Sequence, residues 1–95
     1  MRAKVTFTEE THRGERIIRE AVLTDKSAKR LTKGRAAKLL ARAYPELKLR
    51  DKAILIDTER GWRAVKVNQL RKGVWLHAYV AELSNGDTTK LHNSD

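Results

Sequence analysis

Apolar and polar residues alternate along several stretches of the chain, which is the period-two pattern of strands that bury one face. Val5 and Phe7 alternate with polar neighbours near the beginning. The stretches AILID and RAVKV flank an Arg-Gly pair, alternate in the same way and are rich in β-branched residues. The stretch VWLHAYVAEL alternates over its whole length. The pattern therefore predicts strands near both ends of the chain and a hairpin around this Arg-Gly pair.

The stretch ERIIREAVL, residues 15–23, is compatible with two structures. Ile17, Ile18, Ala21 and Val22 would form one face of a helix, whereas a strand would place Ile18 and Val22 on one side. A repeated motif favours the strand, because THRGERII and TERGWRAV carry Thr, Arg, Gly and Arg at the same four places. Glycine can adopt the positive φ of a tight hairpin corner. We therefore interpret this stretch as a strand, with a helix as the alternative.

The middle of the chain has the period of a helix. Thr32 has the side chain of an N-cap and Pro45 cannot continue a helix, so the predicted helix lies between them. One face of this helix is apolar and the opposite face is cationic. The apolar face consists of Ala36, Leu39, Leu40 and Ala43, and the cationic face consists of Arg35, Lys38 and Arg42.

These elements predict an α+β fold. The sheet is antiparallel, with about five strands in the order ββαβββ, and one basic amphipathic helix packs on one face of it. A chain of 95 residues buries one modest core, so residues 1–83 are interpreted as a single domain. The polar stretch 84–95 has little to bury and is interpreted as a flexible C-terminal tail.

The chain is strongly basic, with 21 Lys and Arg against 12 Asp and Glu and a net charge of +9. Most of this charge lies in residues 26–52, where ten basic residues face two acidic ones. Dense like charges repel one another, and a polyanion relieves that repulsion while releasing its own counterions. Nucleic acid, DNA or RNA, is therefore the first partner to consider. A solvated basic surface without a ligand is the alternative.

The start of the predicted helix has the features of a phosphate site. Position 35, where an acidic residue would complete a capping box, is occupied by an arginine. Lys33 and Arg35 therefore stand beside free backbone amides at the positive end of the helix dipole. An ordinary capped surface helix is the alternative interpretation.

The two Arg-Gly turns each present a pair of arginines. The first pair is Arg13 and Arg16, and the second is Arg60 and Arg63. The forked guanidinium group suits phosphate, and a glycine corner lets the backbone approach closely. We expect the two hairpin tips and the helix to clamp a duplex or a folded RNA. The alternative is that each Arg-Gly turn is an ordinary charged, soluble hairpin corner without a ligand.

The last predicted strand has two different faces. Its apolar side, the predicted core face, consists of Val74, Leu76, Ala78 and Val80, and its other side carries Trp75, His77 and Tyr79. In the preceding strand Val65 and Val67 are interpreted as core residues. This interpretation places Trp62, Ala64, Lys66 and Asn68 on the aromatic side.

A sheet face bearing these rings and a lysine has the composition of a base-stacking platform. The predicted platform consists of Trp62, Lys66, Trp75, His77 and Tyr79. Large aromatic residues are usually covered, so the alternative is burial by the N-terminal hairpin or by a partner subunit, as in a homodimer.

Other chemistry has little support in the sequence. The chain has no cysteine, and its three histidines lack carboxylate or thiolate neighbours at ligand spacing, so we expect no metal and no cofactor. No nucleophile motif or carboxylate pair indicates an enzyme. A small basic ribonuclease using His77, Tyr79 and Lys66 is the alternative. No segment has the length of a membrane span, and we expect a cytoplasmic protein without a membrane partner.

We therefore predict a small, sequence-tolerant nucleic-acid-binding protein. DNA is favoured over RNA because no RNA-module motif is present. The alternative is an adaptor or inhibitor, of the kind that phages or plasmids encode, which docks on an acidic surface of a nucleic-acid-handling protein. Both classes need positive charge, so salt dependence and partner identity separate them.

Overall fold

A computed structural model describes residues 1–46, 54–59 and 61–83 of the chain. The elements in chain order are β1 (Arg2–Thr11), β2 (Gly14–Thr24), α1 (Lys33–Ala43), β3 (Ile54–Asp57), β4 (Gly61–Arg71) and β5 (Val74–Leu83). The five strands form one antiparallel sheet in the order β2-β1-β5-β4-β3, and the helix packs on one face of it. The predicted α+β fold is confirmed. The predicted tail, residues 84–95, lies outside the described residues.

The stretch 15–23 is a strand, so the hairpin interpretation is confirmed and the helix alternative is wrong. A two-residue turn joins β1 to β2, with Thr11 opposite Gly14 and with Gly14 at a φ of 128°. The Thr11 hydroxyl oxygen accepts a hydrogen bond from the Arg13 amide at 3.1 Å, which fixes the corner. A β-bulge follows at Ile18, where the pairing with β1 shifts by one residue.

The core lies between the helix and the central strands. Phe7 of β1 and Leu76 of β5 are fully buried, as are Leu39 and Leu40 of the helix. Phe7 also contacts the Tyr44 ring edge to face, with centroids 5.2 Å apart. The apolar side of the last strand is therefore the core face, as predicted.

The helix begins and ends where the sequence predicts. The Thr32 side chain accepts a hydrogen bond from the Arg35 amide, which is the bond of an N-cap. The helix ends at Ala43, and the Tyr44 amide bonds back to the Leu40 carbonyl before Pro45. No helix in the described ranges is long and apolar enough to cross a bilayer.

The predicted facing of β4 is wrong in its first half. Trp62 lies opposite Val80 and Ala64 lies opposite Ala78, so both point to the helix side of the sheet. The reason is a bulge at Lys66, which has a φ of 53° and interrupts the alternation that the prediction assumed to be continuous. Val65 therefore leaves the core face.

Beyond the bulge, the second half of β4 returns partly to the predicted pattern. Val67 is fully buried in the core, as predicted, but Asn68 lies opposite the core residue Leu76 and leaves the aromatic side. At the start of the same strand, Gly61 is required by close packing, because a Cβ atom there would lie 1.9 Å from the Val80 carbonyl oxygen. This glycine is fixed by contact with β5, whereas Gly14 is fixed by its positive φ.

Replacing Leu40 by alanine tests the packing of the helix. The side chain is 2% exposed, so truncation leaves a cavity and should lower the free energy of unfolding by about 2–4 kcal/mol. Leu70→Ala is the matched control, since Leu70 is 37% exposed and its loss should cost less than about 1 kcal/mol. Urea unfolding of both variants measures the difference. Equal costs would contradict the packing described here.

Candidate nucleic-acid interface

The segment between β2 and the helix crosses one end of the sheet. The Asp25 amide donates to the Met1 carbonyl at 2.8 Å, and the Leu31 amide donates to the Glu82 carboxylate at 3.3 Å. Met1 and Glu82 lie where β1 begins and β5 ends, so these bonds hold the segment against that end. Lys26, Lys29 and Arg30 project from it and are exposed.

The four cations predicted along the helix fall into two groups. Lys33 and Lys38 are exposed and contact no carboxylate of the described residues. Arg35 is instead bound to the Asp25 carboxylate at 3.2 Å, and Arg42 donates to the Thr24 carbonyl at 3.3 Å. These two arginines fasten the helix to the end of β2. They are therefore less available to a ligand than the two lysines.

Asp25 is held ionised by its surroundings. A hydrogen bond from the Ser27 hydroxyl, a second from the Ser27 amide, and the charges of Arg35 and Arg42 together lower the pKa of Asp25. Its charge is thus engaged by local groups. It contacts none of the neighbouring lysines.

Five exposed cations follow the segment before the helix and the first two turns of the helix, and we call them the basic surface. It consists of Lys26, Lys29, Arg30, Lys33 and Lys38. In the part of the chain that the structure describes, no carboxylate pairs with any of them. The first three were missed as individual sites by the sequence analysis, although their signal was present in the charge excess that begins at residue 26.

The opposite face of the sheet, which we call the open face, is covered by no described element. The N-terminal hairpin extends the sheet at its edge and does not fold over this face. Trp75 and Tyr79 are half-buried on it, with Lys66 Nζ 5.0 Å from the Trp75 ring and the Arg63 guanidinium 5.3 Å from the Tyr79 ring. Trp62 is absent from this face, which corrects the predicted platform.

Trp62 belongs to the other side of the sheet because it precedes the bulge in β4. Its ring packs against the edge of the core and lines a groove with Arg30 and Glu82. Of the five predicted platform residues, the structure therefore brings together four on the open face. These are Lys66, Trp75, His77 and Tyr79.

A hydrogen-bond network occupies the centre of the open face. The Glu15 carboxylate accepts bonds from the Thr8 hydroxyl and from the Tyr79 hydroxyl, the latter at 2.8 Å, and lies 3.6 Å from Arg63 Nη2. Burial acts to raise the pKa of Glu15, but the two hydrogen bonds and the Arg63 charge outweigh it and lower that pKa. Burial, and then the bond to Glu15, raise the pKa of Tyr79.

Most other cations near the open face are also paired. On the open face Lys4 lies 3.7 Å from the Glu20 carboxylate, and at the β2 edge of the sheet Arg16, whose side chain is 75% exposed, lies 3.4 Å from the Glu9 carboxylate. Phosphate would have to compete with these carboxylates. The open face is therefore close to charge balance, unlike the basic surface.

His77 is a structural residue of the open face. Its ring is 1% exposed, and Nδ1 accepts the Lys66 amide proton at 2.9 Å, which holds the bulge in β4. Nε2 lies 3.2 Å from a Glu10 carboxylate oxygen but outside hydrogen-bond geometry. Nδ1 is occupied by the backbone, and Nε2 makes no hydrogen bond but is buried, so neither ring nitrogen is exposed on the open face.

The two Arg-Gly turns, which are expected to act together, lie at opposite ends of the sheet. The β1–β2 turn lies at the end of the sheet where Glu10 faces Trp75, whereas the β3–β4 turn lies at the opposite end, where Gly61 faces Ala81. The antiparallel strand order, which the motif does not encode, separates them. Arg13 is exposed at the first turn.

The arginines of the second motif do not form a pair at a tip either. Arg63 lies within β4 on the open face, bound to Glu15, and Arg60 lies outside the described residues. The turn that does lie beside Arg13 is the β4–β5 turn, with Arg71 and Lys72. These two cations are not among the predicted site residues, although a Lys-Gly pair between two alternating stretches is a hairpin signal.

Comparison of the chain with protein-family models, with curated proteins and with solved structures finds no match in any of the three. Within the described ranges, no cluster of His, Asp and Glu side chains could hold a metal ion.

The Glu15 network makes the stability of the fold depend on pH. Because folding lowers the pKa of Glu15 below its ordinary value of 4.5, the network stabilises the protein fully above that pH and is lost as the pH falls through the folded pKa. Glu15→Gln should therefore destabilise the protein more at pH 7 than at pH 3. Urea unfolding of the wild type and of Glu15→Gln at the two pH values measures the loss in free energy of unfolding. An equal loss at pH 7 and pH 3 would refute the prediction.

Proposed function

We propose that this protein binds nucleic acid through the phosphate backbone, as a binding protein without catalytic activity. The observation that carries the proposal is the basic surface, where five exposed cations lie together without a carboxylate partner among the described residues. Elsewhere on the sheet, cations such as Lys4 and Arg63 have such partners. Unpaired cations held close together are stabilised by a polyanion.

The helix adds to this attraction. It has no acidic residue in its first turn, so nothing on its own surface offsets the positive end of its dipole. The Thr32 side chain satisfies the Arg35 amide, and Lys33 stands at the first helical position. A phosphate approaching the start of the helix would meet free backbone amides as well as the lysines.

The position of the aromatic rings favours a duplex over a single strand. Trp75 and Tyr79 lie on the open face, whereas Lys26 and Lys33 lie on the basic surface, so base stacking and phosphate contact would use different parts of the protein. Contacts to phosphates alone carry no direct sequence information. We propose sequence-tolerant binding of duplex DNA.

A second candidate function is docking on another protein, as an adaptor or inhibitor. The open face supports this candidate because its cations are paired and because Ile17 and Ile56, at its two edges, are 48% and 47% exposed. A charge-balanced face with apolar margins resembles a protein interface more than a phosphate site. The two candidates use different faces.

The salt dependence of binding tests the first candidate. In Lys26→Gln/Lys29→Gln/Lys33→Gln three phosphate contacts are lost, so the slope of log K against log salt for duplex DNA should flatten by roughly three units. Fluorescence anisotropy at several salt concentrations measures it. The charge-conserving control, Lys26→Arg/Lys29→Arg/Lys33→Arg, should keep the wild-type slope. An unchanged slope in the glutamine variant would show that the basic surface is not the binding site.

A further inference from the structure

Two hairpin turns meet at the end of the sheet opposite the basic surface. β1 and β5 are neighbours, with Glu10 facing Trp75, so the β1–β2 turn and the β4–β5 turn lie side by side. Their tips are two strand spacings apart, which is about 10 Å. Each turn has two loop residues, and a glycine with positive φ lies directly after the first loop, at Gly14, and within the second, at Gly73.

These turns carry a second group of unpaired cations, which we call the turn end. It consists of Arg13, Arg71 and Lys72, all exposed, and none contacts a carboxylate of the described residues. Of the nearest carboxylates along β1, Glu9 is paired with Arg16, and Glu10 lies 3.2 Å from His77 Nε2 and contacts none of these three cations. Like the basic surface, the turn end is therefore a group of exposed cations without carboxylate partners among the described residues, but it has fewer members.

The two positive regions lie far apart and face away from each other. β1 rises from Arg2 to Thr11, and at about 3.3 Å per residue its ends are about 30 Å apart. The segment with Lys26 and Lys29 crosses the end where β1 begins, and the turns project beyond the end where it finishes. Between them, the open face is close to charge balance.

We propose that the turn end is a second phosphate-binding surface and that one molecule bridges two separate duplex segments. This inference rests on the proposed function, because it assigns the first segment to the basic surface. The two surfaces project from opposite ends of the sheet, so a straight, stiff duplex that docks against one end leaves the other end free for a second duplex. Arginine and lysine side chains on fixed turns suit phosphate without reading sequence.

A two-duplex capture experiment tests bridging. Biotinylated duplex DNA on beads is incubated with protein and a second, fluorescent duplex, and the retained fluorescence is measured. Wild type should retain the second duplex. Arg13→Gln/Arg71→Gln/Lys72→Gln should bind a single duplex within about threefold of wild type but retain at least tenfold less of the second. The control Arg13→Lys/Arg71→Lys keeps the charge and should bridge.

The outcomes separate this inference from the proposed function. If wild type binds no duplex at low salt, the proposed function fails. If it binds one duplex but does not bridge, or if the glutamine variant bridges as well as wild type, the second surface is refuted and the first stands. If the glutamine variant loses single-duplex binding, both surfaces contact the same duplex, which also contradicts bridging.

Discussion

The packing of Leu39 and Leu40 onto the central strands divides the sheet into a covered face and an open one. Both side chains are buried against a core that includes Phe7 and Leu76. Once the helix is placed on that side, the preceding segment must cross one end of the sheet to reach it, and its lysines must face solvent there. The location of the positive charge is thus a consequence of how the core is built.

The distribution of carboxylates then decides which cations remain available. Glu15 holds Arg63, Glu20 holds Lys4 and Asp25 holds Arg35, so these charges act within the fold. Each of these pairs reduces the local potential seen by a polyanion. The unpaired cations gather at the two ends of the sheet, on the basic surface and the turn end. The proposals of phosphate binding and of bridging depend on this segregation of charge.

Much of the local structure could be predicted from sequence because it depends on short-range physics. The Thr32 cap, the apolar helix face and the core face of β5 follow from side-chain chemistry and periodicity within a few residues. The facing of Trp62 could not be predicted, since the bulge at Lys66 is stabilised by His77 from another strand. There the hydrogen bond between strands from the Lys66 amide to His77 overrides the alternation of side chains along β4.

The site was only partly predictable for the same reason. The cations of the helix were found from the sequence, but the engagement of Arg35 and Arg42 by the end of β2 depends on tertiary contacts. Arg13 lies near Arg71 and Lys72 only because of the strand order, which places side by side two turns that are nearly sixty residues apart in the chain. The repeated Arg-Gly motif instead predicts that the two Arg-Gly turns act together, but the strand order places those turns at opposite ends of the sheet.

An amide chemical-shift map on titration with duplex DNA tests most directly whether unpaired charge locates the binding site. We expect the amide signals of Lys26, Lys29 and Lys33 to shift with increasing DNA, while those of Arg63 and Tyr79, which lie within the Glu15 network, stay in place. Shifts concentrated at Arg63, Lys66 and Tyr79, with the segment before the helix unaffected, would contradict it.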